Sequence, residues 1–201
     1  MTTTDQLRPP PVRRALSKVP EVTVWFWVIK VLCTTVGETF ADFLNDKLGL
    51  GLSGTSVVMS VLLIGVLVLQ FRKNRYIPSI YWLSVVLISV VGTLITDNLS
   101  DNLHVPLLTS TVVFSIALAI TFAVWFAFER TLSIHTIVTT PRVTFCWLTV
   151  LVTFALGTAV GDWTLELTGW SPGVSVLLPL GLILAVLASW RFGVGPVLSF
   201  W

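Results

Sequence analysis

Six of the ten acidic residues in this chain fall into three pairs that share one spacing, inside segments otherwise almost free of charge. With one glycine per group as origin, Gly37, Gly92 and Gly157, an aspartate follows five residues later: Asp42, Asp97 and Asp162. A second acid stands nine residues after each glycine: Asp46, Asp101 and Glu166. Glu38 extends the first group upstream. Residues four apart share a helix face, so each group predicts a vertical pair of carboxylates. Anionic carboxylates that converge repel one another, and a convergent cluster must hold protons or bind cations. An all-oxygen set of Asp, Glu, Thr and Ser suits hard ions such as Mg²⁺, Mn²⁺ or Ca²⁺, or H⁺ itself. The expected chemistry is therefore carriage of a small cation, with Glu38, Asp42, Asp97 and Asp162 as an inner ring. Asp46, Asp101 and Glu166 would stand at its mouth, and any bound divalent cation would be cargo rather than a cofactor.

Such acids are costly where these segments lie. Of the 201 residues 55% are hydrophobic and 11% charged, against about 25% charged in a soluble domain, and the mean hydropathy is +0.91. Too little polar surface exists to cover a soluble fold, so the solvent is a lipid bilayer. A carboxylate at mid-helix then costs about 2.5–3.5 kcal/mol on insertion scales, which favours a functional reading. Lys30, two turns before Glu38 on a similar face, is a candidate internal counter-charge. A structural reading stands beside this one. At about 1.5 Å per residue, Asp42 lies roughly 25 Å along its helix, near the edge of a ~30 Å hydrocarbon core. The following helices begin there, and their positive N-terminal dipoles favour carboxylates as interfacial caps.

Six segments are long enough to span as helices: 22–46, 54–71, 80–101, 107–128, 143–166 and 173–191. They pair through turns rich in Gly or Pro at Gly49 to Gly54, His104-Val105-Pro106 and Gly169 to Gly173. Taking the N-terminal tail and the connections after the even segments gathers Arg8, Arg13, Arg14, Lys18, Arg72, Lys73, Arg75, Arg130, Arg142 and Arg191 on one side. The opposite side holds only Lys47, so the positive-inside rule predicts a cytoplasmic N-terminus in a multi-pass protein of the bacterial inner membrane. Trp25, Trp27, Tyr81, Trp82 and Trp147 fall near the cytoplasmic ends of the odd segments, as an aromatic belt would.

The fold class is thus all-α, a polytopic bundle of parallel two-helix repeats. Besides glycine and acids, the units share Trp27, Trp82 and Trp147 ten residues before the glycine. Hydroxyls open each second helix at Thr55 and Ser56, Ser110 and Thr111, and Ser175. The expected divisions are a disordered tail at 1–18, then repeats at 19–77, 78–140 and 141–195. Residues 196–201, Pro196-Val197-Leu198-Ser199-Phe200-Trp201, read like the opening of a fourth.

The stretch Lys18-Val19-Pro20-Glu21-Val22-Thr23, followed by Lys30-Val31-Leu32-Cys33-Thr34-Thr35-Val36-Gly37-Glu38, resembles a family of bacterial multi-pass proteins described only as membrane-anchored. The similarity runs from Lys18 to the end. It implies a membrane location, tandem repeats and a fourth Gly-and-Asp helix that this chain lacks, and it implies no substrate.

Other residues support quieter readings. Cys33 and Cys146 sit in apolar runs, suiting small buried hydrophobes rather than a disulfide or metal pair. His104 takes the place of Gly49 and Gly169 in its turn and reads as a solvated turn residue, and His135 as an exposed loop residue. The three glycines suit close helix packing. Arg72-Lys73-Asn74-Arg75 reads as topogenic, with contact to anionic lipid. The +2 formal charge gives no nucleic-acid footprint, and HExxH and GxSxG are missing, so no enzyme and no cofactor are expected. The partners expected are the bilayer, a small cation and, if the acidic ring is incomplete, a further copy of the chain.

Overall fold

A computed structural model describes residues 20, 23–47, 49–73, 75–132, 137 and 139–191. The expected tail at 1–18, His135 and the segment 196–201 lie outside the described residues. All regular structure among those described is helical. Helix α1 spans Val24–Asp42, α2 Gly51–Arg72, α3 Pro78–Asp97, α4 Leu107–Glu129 and α5 Thr140–Thr168. Two short helices follow, α6 (Pro172–Ser175) and α7 (Leu177–Arg191). Among the described residues five helices are long and apolar enough to cross a membrane, and this is an integral membrane protein built of repeated helix pairs.

Local chemistry sets the ends. Thr23 accepts a hydrogen bond from the Phe26 amide at 3.2 Å, a side-chain N-cap for α1. Pro78 opens α3 and Pro141 lies in the first turn of α5, positions where the missing N–H goes unneeded. The sixth expected segment is helical but broken between α6 and α7. Pro179 has no N–H for the Ser175 carbonyl, and regular hydrogen bonding resumes at Leu180, which donates to Val176 at 3.1 Å. Its apolar stretch, Gly173–Val186, is shorter than the five spans, and Leu177, Leu180, Leu182 and Leu184 are exposed.

The helices of one unit are not each other's main packing partners. The first helices form a row, α1 against α3 and α3 against α5. Each second helix packs on the first helix of the following unit, α2 on α3 and α4 on α5. Helix α3 is therefore central, with Val85, Ile88, Val90 and Leu94 buried. On α2 the buried stripe is Thr55, Met59, Leu63 and Gln70, while Val57, Val61, Ile64 and Val68 face outward. A hydroxyl and an amide inside with branched apolar side chains outside is the pattern of a lipid-facing helix.

The aromatic residues differ from a simple belt. Trp25 is exposed, but Tyr81 and Trp147 are buried. Tyr81 contacts Trp147 at 5.4 Å and Trp82 at 5.2 Å between ring centroids, and Trp82 contacts Phe26 at 5.6 Å. Three units thus share an internal aromatic layer, because the row of first helices turns these positions toward one another. At the same end Arg142 donates to Glu129 and ties α5 to α4.

The turns repeat to the residue. Gly49, His104 and Gly169 each stand twelve after their glycine, and all three are left-handed, with φ of 66°, 55° and 61°. His104 is exposed, as expected of a solvated turn residue. A non-glycine residue there carries about 1–2 kcal/mol of strain. His104→Gly is therefore expected to stabilise the protein by up to about 1 kcal/mol after glycine's entropy is offset. Thermal melting of the purified protein checks this, and a lower midpoint would show that the imidazole makes a stabilising contact.

Candidate functional site

The repeat glycines make the row possible. A Cβ on Gly37 would stand 2.1 Å from Ser89 Oγ, and one on Gly92 would stand 2.7 Å from Phe154 Cβ and 3.1 Å from the Ala155 nitrogen. Ser89 and Phe154 each lie three residues before the next unit's glycine, so one helix contact is used twice. Close approach through small residues is how helices associate without a hydrophobic driving force. Gly157, by contrast, has nothing among the described residues within 4 Å of its would-be Cβ.

Polar bonds cross the same boundaries. The hydroxyls of Thr93 and Thr158, each one residue after its glycine, lie 3.2 Å apart. Buried Thr96 donates to the Ala155 carbonyl at 2.9 Å. Asn98 donates to Ser56 at 2.8 Å and to the Leu94 carbonyl at 2.7 Å, while its own Oδ1 accepts from Asn102 at 2.8 Å. These residues belong to the acid-bearing end, and the carboxylates alone did not reveal them. The signal was in the same alignment: Thr93 and Thr158 occupy the position of Glu38.

A π-helical turn, Phe43–Lys47 or Asn98–Asn102, directly follows Asp42 and Asp97. π-turns often mark functional sites. The wider turn rotates Asp101 about the axis relative to the i, i+4 pairing expected with Asp97. In the third unit α5 stays α-helical to Thr168, so Asp162 and Glu166 keep that pairing.

The seven acids are not equally placed. Asp42, Asp101 and Glu166 are exposed, and Asp97 and Asp162 half-buried. The side chains of Glu38 and Asp46 lie outside the described residues. Asp101 accepts from Ser100 at 3.0 Å. Asp162 lies within electrostatic reach of Asp101 across the boundary between the second and third units. Among the described residues no three Asp, Glu, His or Cys side chains gather closely enough to hold a metal ion. Lys30 extends its ammonium over the rings of Trp27 and Phe26, 5.4 and 6.0 Å from their centroids, in the aromatic layer. Cys146 is buried and Cys33 half-buried.

Of the hydroxyls opening the second helices, Thr55 and Ser110 are buried and Ser56 bonds Asn98. Ser56, Ser60, Leu94 and Asn98 help line a groove of about 290 Å³ between α2 and α3. The caps of α2 and α4 are Leu50 and Pro106, which offer no capping oxygen.

Helix pairs, repeated glycines and a repeated acid-bearing turn define a class, a polytopic membrane protein assembled from tandem two-helix units. The chain belongs to the family described as Repeat of Unknown Function (DUF347), whose sequence pattern matches twice, at residues 25–76 and 80–131. The two matches fall on the first and second helix pairs. No curated protein and no solved structure matches the chain.

Proposed function

We propose that this protein carries a small hard cation, Mn²⁺, Mg²⁺, Ca²⁺ or H⁺, across the membrane without catalysing a covalent reaction. The observation that carries this reading is the gathering of repeat-related carboxylates at one end of an apolar bundle, with Asp97 and Asp162 half-buried there. A half-buried carboxylate with other acids nearby lowers its cost by holding a proton or a cation. Threonine and asparagine oxygens on the same seam add neutral ligands that hard ions accept. A cell membrane with the Arg-rich face cytoplasmic would present this acidic end to the outside. Capping is the second reading: Leu50 and Pro106 give α2 and α4 no side-chain cap, which leaves their positive ends open to the same carboxylates.

The test is flux in proteoliposomes with Mn²⁺, Mg²⁺ or Ca²⁺ outside and a pH dye inside. Asp162→Asn is expected to slow the transported ion about tenfold or more, equivalent to ~1.4 kcal/mol of lost cation stabilisation. Absence of flux in folded wild-type protein for all four ions would leave the acids as architecture and end the carrier reading.

A further inference from the structure

The contact between first helices joins a donor stripe to a receiving stripe. The donor stripe holds the repeat glycine and the residue four after it. Gly37 with Ala41, and Gly92 with Thr96, are buried, whereas Gly157 with Gly161 is exposed and has nothing within 4 Å. The receiving stripe holds the residues two before and two after the glycine. Val90 and Leu94 are 0% and 1% exposed, and Ala155 and Ala159 are 2% and 0% exposed. Their first-unit counterparts Thr35 and Thr39 are exposed, and with Val36, Phe40 and Phe43 they line an open groove of about 380 Å³. Among the described residues the donor stripe on α5 and the receiving groove on α1 are therefore both uncovered, and the α1–α3 and α3–α5 contacts show how the two fit.

We infer that copies of this chain associate head to tail, the Gly157–Gly161 stripe of α5 seating in the Thr35–Thr39 groove of α1 of a second copy. Repeats that enter the membrane in the same direction make this contact a rotation about the membrane normal, which closes into a ring if the angles permit. The same step would give α7, whose leucines are uncovered, the packing that α2 has on α3. It would also give the partner's Asp42 the place relative to Glu166 that Asp162 has relative to Asp101 in the repeat. The association stands on helix contacts alone, and its test reads no flux, so it can fail while the carrier reading survives.

The test is a disulfide between two differently tagged chains co-expressed in one membrane, one carrying Thr35→Cys and the other Gly157→Cys. The parent chain with Cys33 and Cys146 sets the background. The expected result is an oxidised product bearing both tags, well above that background. Gly157→Leu, which has room for its side chain in the single chain, is expected to reduce the purified protein to one copy per particle with an unchanged helical signal. A double variant Thr35→Cys/Gly157→Cys that links only within one chain would overturn the proposal. So would no dual-tag product in the membrane, which is also the result if a further helix of the same chain, or lipid, fills the α5 face.

Discussion

Gly92→Ala is expected to lower the thermal midpoint of the purified protein by the equivalent of about 1–3 kcal/mol, the usual cost of overpacking a tight interior. The added methyl would meet Phe154 Cβ at 2.7 Å and the Ala155 nitrogen at 3.1 Å. Neither atom can rotate away, so α3 and α5 must separate along the seam that also holds the Thr96 bond to Ala155. Gly37→Ala is expected to cost less. Its methyl meets the Ser89 hydroxyl, which can give up its 2.8 Å bond to the Val86 carbonyl and swing aside. Gly65→Ala on α2 is the control, since nothing lies within 4 Å of that position. Alanine's better helix propensity should make it neutral or stabilising by roughly 0.5–1 kcal/mol. Tryptophan fluorescence melts of the three variants give the ranking. A Gly92→Ala protein as stable as Gly65→Ala would mean that α3 and α5 do not meet through this glycine.

The second large effect is in transport. Asp101→Asn and Asp162→Asn are each expected to slow flux about tenfold or more, and the double variant is expected to be no slower than the worse single one. A pair that shares one ion or proton loses its function when either member is neutralised, so the losses do not add. The coupling would then be on the order of 1.4 kcal/mol, a factor of ten in rate. Losses that multiply in the double variant would show two acids working separately, one on α5 and the other on the turn after α3. Initial rates across the four proteins at fixed ion gradient, each normalised to protein inserted, decide between these.

The sequence by itself determined the membrane as solvent, the helical class, the positions of the long helices to within a few residues, and the repetition of helix pairs. These follow from composition, from runs of apolar residues matched to bilayer thickness, and from glycine, proline and acids recurring at one spacing. It also determined the turns, because a left-handed position asks for the same short list of residues wherever it occurs, His104 included. Pairing was decided by the tertiary structure alone. The sequence makes α1 and α2 neighbours in the chain, yet α2 packs on α3 and α4 on α5, since any apolar helix face is equally content with lipid or with another helix. Only the shape of the glycine contact chooses among them, and shape is a property of two surfaces together. The same holds for the acids. Their spacing was plain, but the π-turns that follow Asp42 and Asp97, and the half-burial of Asp97 and Asp162, arise from backbone geometry at a helix contact. No single helix encodes that contact.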